Sequence, residues 1–344
     1  MEYIIMAYLG DSGHWKAKDI DVSGLTHINY AFAAVLNGKL SGKHMKNLDQ
    51  LRELKEKKPS LKTMISIGGW QADGFSDAVL TKGSRTVFMD SILEFVATND
   101  FDGVDLDWEY PGMDHGGITA RPEDKQHYTL FVKQLRDGLD KLGNQSGRQY
   151  QLTMAMGSGP RYVEALEMDQ LIPCFDYLNL MTYDLCGGGD PKTGHHTGLF
   201  RSKSTPDAIC CDDAVRAVLH AGVEPKKIVL GIAFYGRGWS SVANRNHGLG
   251  QTAGGEGPDG GAYSYSDIKA SYSGKNGFVR YWDEDAKAPY LYNGDTFITY
   301  EDEESISHKT RYIREKGLAG AMFWEYKQDK SGRLLHQICS GLKQ

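Results

Sequence analysis

Eight short apolar runs, separated by longer amphipathic stretches, recur along the whole chain and constrain its architecture more than any other feature. They read as strands at residues 3–8, 27–34, 62–67, 103–108, 151–156, 177–181, 227–233 and 320–323. Most are rich in Ile, Val, Leu, Met or aromatic residues and lack proline. The intervening periodicity predicts helices over 45–58, 84–99, 122–142, 161–171, 206–221 and 303–316, with a closing helix at 334–342. Thr205 is placed to cap the fifth of these, with Pro206 at its first position. Arg121-Pro122-Glu123-Asp124 puts proline and acids into a first turn. Strands alternating with helices predict an α/β fold, a parallel (β/α)8 TIM barrel. The competing open doubly wound sheet usually carries G-x-G-x-x-G after its first strand. Here Gly10-Asp11-Ser12-Gly13 stands in that place and does not match.

One stretch breaks the rhythm. Residues 239–300 are rich in Gly, Tyr and Asp, with short strand-like runs such as Phe278-Val279-Arg280-Tyr281-Trp282 and Phe297-Ile298-Thr299-Tyr300. About sixty residues is too long for a structureless loop in a compact domain. The reading is a small α+β insertion between the seventh and eighth strands, with residues 1–238 and 301–344 forming the barrel.

Composition narrows the partners. The 344 residues are 40% hydrophobic and 24% charged, with a net charge of −6, which argues against nucleic acid. No run approaches the roughly 18 apolar residues of a membrane helix, so no membrane partner is expected. Met1-Glu2-Tyr3-Ile4-Ile5-Met6 is too short and too acidic for a signal peptide and reads as the first strand. Localisation stays open between export with a trimmed leader and the cytoplasm. The five cysteines, Cys174, Cys186, Cys210, Cys211 and Cys339, are odd in number and form no CxxC, so a disulfide framework is not expected. Cys210-Cys211 and His195-His196 follow no common zinc spacing, and no metal is expected.

The chemistry concentrates in Phe101-Asp102-Gly103-Val104-Asp105-Leu106-Asp107-Trp108-Glu109-Tyr110. Alternate side chains of a strand share a face. Asp105, Asp107 and Glu109 therefore point one way, and Val104, Leu106 and Trp108 the other. Such a row suits a solvated acidic edge, a cation, or an acid whose pKa is raised by its neighbours. The apolar opposite face disfavours a free edge. A straight strand wraps poorly around an ion. Asp102 has the opposite parity and reads as structural. Barrel active sites lie at the C-terminal strand ends, which places Glu109 outermost and Asp107 about 7 Å deeper.

Asp102-x-x-Asp105-x-Asp107-x-Glu109, followed by Tyr110-Pro111-Gly112, resembles the signature of glycoside hydrolase family 18, the chitinases. Ser66-Ile67-Gly68-Gly69-Trp70, Met181-Thr182-Tyr183-Asp184, Phe234-Tyr235-Gly236-Arg237-Gly238-Trp239 and Gly320-Ala321-Met322-Phe323-Trp324-Glu325 are similar to further motifs of that family, in the expected order. The resemblance implies retaining hydrolysis of β-1,4-linked N-acetylglucosamine polymers and oligomers without cofactor or metal. Glu109 would be the general acid, and the substrate's own acetamido oxygen the nucleophile. Asp107 would hold the acetamido N–H, Tyr183 would orient its oxygen, and Asp105 would share a proton with Asp107. Tyr8 and Ser66 would donate hydrogen bonds near Asp105. Trp324 would form the sugar floor, with Asp184, Met181 and Arg237 lining the same subsite and Trp70 stacking on the leaving-group side. Tyr235 and Phe32 are further candidates, and Trp15, Trp239 and Trp282 read equally as groove or packing residues. The insertion would wall the substrate cleft, as in the deep-cleft subgroup. Two other functions remain on this scaffold: an endo-β-N-acetylglucosaminidase or peptidoglycan-type hydrolase, and a non-catalytic chitin-binding lectin.

Overall fold

The computed structural model describes residues 3–13 and 15–343; Met1 and Glu2, read above as part of a strand, lie outside them. The fold is a (β/α)8 barrel. Its strands are β1 (Ile4–Gly10), β2 (His27–Leu36), which carries the hairpin strand β3 (Lys39–Ser41), β4 (Lys62–Gly68), β5 (Gly103–Asp107), β6 (Gln151–Gly157), β7 (Tyr177–Met181), β8 (Ile228–Ala233) and β15 (Gly320–Trp324). The sheet runs β1-β15-β8-β7-β6-β5-β4-β2, and β1 also pairs with β2, which closes it. Among the described residues no helix is long and apolar enough to cross a membrane.

The chain divides into two compact units. One comprises Met6–Asn179 and Val218–Val229. Here Val104, Leu106 and Trp108 are buried, and Trp108 stacks on Phe75 at 5.2 Å. Phe75 meets Phe88, which stacks on Phe131, so the apolar face of β5 rests on the helices. Asp102, at the strand entrance, pairs with Lys55 at 3.1 Å and Arg148 at 3.0 Å and accepts from the Thr63 backbone. It is a structural acid.

The other unit contains Leu180–Ala217 and the chain from Leu230 onward. Phe234 stacks on Phe323 at 4.1 Å. A second, antiparallel sheet runs β10 (Gly255–Glu256), β9 (Tyr235–Ser240), β14 (Phe297–Thr299), β13 (Ala288–Tyr292), β12 (Val279–Asp283), with β11 (Ala262–Ser264) on β9. It begins at Tyr235, ahead of the boundary read at residue 239, because β9 pairs through Arg237 with Thr299 and with Ala262. Trp239 is fully buried with Val242, Leu249, Tyr290, Tyr292 and Phe297, so it is a core residue.

Two helices differ from the pattern read above. The 161–171 segment forms two short helices, Pro160–Glu164 and Met168–Leu171. The 206–221 helix starts only at Cys211. Thr205 and Pro206 sit in the preceding turn, and the Asp213 carboxylate reaches back to the Cys210 backbone N–H at 3.1 Å, half of a capping box.

His27 gives the barrel a built-in acid sensitivity. Its ring is buried between Thr26 and Gln151, each at 2.8 Å. Burial lowers its pKa from 6.5 to about 4, against the smaller upward pull of Gln151. Between those values the unfolded chain takes a proton that the folded chain refuses, so stability falls as pH drops through this window. The expected loss is on the order of 2–3 kcal/mol by pH 4. Thermal unfolding of His27→Gln against pH should lack that component.

Candidate active site

β5 ends at Asp107, so Glu109 stands just past the ladder rather than as its last residue. Asp105 and Asp107 are buried and Glu109 is half-buried. Ser66, Asp105 and Thr153 are register partners on β4, β5 and β6 and therefore share a face. Asp105 accepts four hydrogen bonds: from Tyr8 Oη at 2.9 Å and Ser66 Oγ at 2.7 Å on Oδ2, and from Thr153 Oγ1 at 2.6 Å and Asn179 Nδ2 at 3.1 Å on Oδ1. Burial pushes its pKa up, and the four donors oppose that. Asp107 has no such relief. Burial, then the Glu109 and Asp105 carboxyls, push its pKa well above the usual carboxylate range, and its Oδ1 has no hydrogen-bond partner among the described residues. Of the two buried acids, Asp107 is therefore the one whose surroundings favour the protonated form more, because Asp105 already accepts from four neighbours.

Close backbone approach explains the glycines beside this row. Gly68 has φ +114°, and a Cβ there would meet the Asp107 carbonyl oxygen at 2.1 Å. The Gly69 N–H donates to that same oxygen at 2.8 Å, and a Cβ on Gly69 would strike the Phe32 ring. Trp70 follows, 59% exposed. Tyr110 lies beside Glu109 with its ring 4.4 Å from that of Tyr162, and burial followed by the Glu109 charge drives its hydroxyl pKa up.

In the second unit, Arg237 holds Asp184 through a two-pronged pair, Nε to Oδ1 at 2.7 Å and Nη2 to Oδ2 at 2.8 Å. Although burial pulls the other way, His196 and Arg237 hold the Asp184 carboxyl well below the usual range. Tyr235 packs under the Arg237 guanidinium at 5.2 Å, and its ring centroid lies 6.1 Å from that of Tyr183. The Tyr183 hydroxyl lies 3.8 Å from Met322 Sδ. Met181 closes β7, and Trp324, partly exposed, closes β15.

Tyr8 and Ser66 thus meet the acid row, while Tyr183, Asp184, Tyr235 and Arg237 meet one another. Trp15 is buried edge-on to Tyr30, and Trp282 donates to Glu284 at 2.8 Å. The reading of the sequence missed Thr153, Asn179 and His196. A signal existed for two of them: each is a lone polar residue inside an apolar strand, Leu152-Thr153-Met154 and Leu178-Asn179-Leu180. His195 bonds Asp283 at 3.1 Å, and Cys211 faces backbone carbonyls. Among the described residues no group of three His, Cys, Asp or Glu is arranged to hold a metal.

A closed barrel carries its active site at the C-terminal ends of its strands, where this chain places its acid row, and glycoside hydrolysis is carried out by such carboxyls. The family model for glycosyl hydrolases family 18 matches residues 4–329, and the chain belongs to that family. Chitinase A1 of Niallia circulans is 42% identical over 313 residues, which cover 86% of this chain and 44% of the relative. Chitotriosidase-1 of Mus musculus is 33% identical over 327 residues, covering 92% and 70%. The solved family 18 N-acetylglucosaminidase of Paenibacillus barengoltzii superposes with a TM-score of 0.94 at 42% identity, covering 99% of this chain and 100% of that one. The chain spans less than half the length of the Niallia circulans relative.

Proposed function

We propose that this chain hydrolyses β-1,4-linked N-acetylglucosamine polymers and oligomers, as chitinases do, with retention and by substrate assistance. The observation that carries the reading is the buried acid row, in which four donors hold Asp105 while burial and the neighbouring carboxyls favour the protonated form of Asp107. A protonated carboxyl is no nucleophile, so the row supplies an acid, Glu109, and leaves nucleophilic attack to the substrate. Glu109 gives its proton to the glycosidic oxygen as the C1–O bond breaks. The acetamido oxygen closes on C1 to form an oxazolinium ion; as its charge develops Asp107 passes its shared proton to Asp105 and, now an anion, holds the ion's N–H, while Tyr183 holds its oxygen. Water then opens the ring from the same side as the departed sugar, and Glu109 takes up the proton. In this reading Trp324 carries the sugar's C–H face, Asp184, Met181 and Arg237 hold its polar groups, Trp70 stacks on the leaving sugar, and the antiparallel sheet walls the cleft.

The chitinase names of the relatives support this substrate class. The N-acetylglucosaminidase that matches along its full length favours a second outcome, release of single N-acetylglucosamine units. Digestion of chito-oligosaccharides of defined length separates the two. Internal cleavage yields dimers and longer fragments, and terminal cleavage yields monomer from the outset. No release from any of them would refute both.

A further inference from the structure

His196 is fully buried, yet among the described residues neither ring nitrogen has a hydrogen-bond partner. The ring is not idle packing. Its Nδ1 lies 3.7 Å from Asp184 Oδ1, just outside hydrogen-bond range, and its plane leans on Tyr235 at 5.1 Å. The backbone of the same residue is tied on both sides. The His196 carbonyl accepts from the Leu185 N–H at 3.0 Å, and its N–H donates to Thr299 Oγ1 at 3.3 Å. Leu185 directly follows Asp184, which is held at φ +53°, a left-handed conformation that a non-glycine residue adopts at a cost. His196 thus grips the Asp184 segment by its main chain and faces its carboxylate with its ring.

The two carboxylate oxygens are thereby unequal. Oδ1 faces both Arg237 Nε and His196 Nδ1, whereas Oδ2 meets Arg237 Nη2, and the Tyr235 side chain also reaches this carboxylate. We infer that His196 is a positioning residue for Asp184: its Nδ1–H turns Oδ1 inward against Arg237 and leaves Oδ2 as the acceptor offered to a sugar hydroxyl or amide N–H. The inference rests on the proposed reading of Asp184 as part of the sugar subsite. The charged groups facing the ring are Asp184, Arg237 and Glu301. Burial, the largest influence, outweighs Asp184 and Glu301 and keeps the imidazole neutral at pH values where an exposed one takes a proton. A neutral ring with its proton on Nδ1 is the tautomer this role requires.

The test uses two variants and one tautomer measurement on the whole chain. His196→Phe keeps a ring and removes both nitrogens. His196→Asn returns an amide N–H near the Nδ1 position. The expected result is a KM for chito-oligosaccharides raised about tenfold in His196→Phe, with kcat little changed and KM largely recovered in His196→Asn. A protonation that affects KM below the ordinary imidazole pKa should be present in the parent and absent from both variants. Nitrogen NMR of histidine-labelled parent protein should find the His196 proton on Nδ1. A proton on Nε2 overturns the inference, as does an unchanged KM in His196→Phe. If the parent itself cleaves no chito-oligosaccharide, the functional reading fails, and the NMR measurement still decides the clamp.

Discussion

Glu109→Gln should lose hydrolysis of chito-oligosaccharides by about 10³-fold or more while binding them as the parent does. A positioned general acid accounts for about 10²–10⁴ of a rate on its own. Here the leaving sugar oxygen has no other donor in the mechanism, so the upper half of that range applies. Glutamine keeps the volume and the polar contacts of a half-buried residue and removes only the transferable proton. Binding should survive because Asp184, Arg237 and Trp324 are untouched. Calorimetric titration beside a turnover assay separates the two quantities. Substantial turnover by this variant would mean that the proton comes from elsewhere.

Asp107→Asn should cost about 10²–10³ in kcat, the scale of one lost electrostatic contact to the transition state. The amide still accepts from the acetamido N–H, but it never becomes an anion beside the oxazolinium ion. The same change should leave the fold more stable at neutral pH. Asp107 has a raised pKa in the folded protein, so the fold retains a proton that the unfolded chain has released. Stability therefore declines as pH rises from the ordinary carboxylate value toward the raised one. Asparagine removes that dependence. Higher thermal stability paired with lost activity is the expected signature. An Asn variant that is less stable than the parent at neutral pH would place the retained proton elsewhere.

What could be read from the chain alone follows a physical line. Strand parity depends only on neighbours, so the split of Asp105 and Asp107 from Val104, Leu106 and Trp108 was legible. The family resemblance marked Ser66-Ile67-Gly68-Gly69-Trp70 as a motif and implied Ser66 near Asp105. The need for glycine there is a through-space contact with the Asp107 carbonyl, which no local pattern encodes. Lys309 shows the same limit. It lies in the helix Glu303–Lys316, where a lysine reads as a solvated face, yet it is fully buried against Glu301 and Thr197. Only the folded chain brings those three together. The start of the Cys211–His220 helix was missed because Asp213 reaches back to cap it, overriding the Thr205-Pro206 signal. His196 was visible only as half of a His-His pair, and its relation to Asp184 is tertiary.

The measurement that bears most directly on substrate assistance is the anomeric form of the first product, followed by proton NMR before mutarotation. A protein-free nucleophile, the sugar's own amide, requires the β-anomer to appear first and no sugar ester of any carboxylate to accumulate. Initial release of the α-anomer, or a trapped glycosyl ester on Asp107 or Asp105, would contradict it.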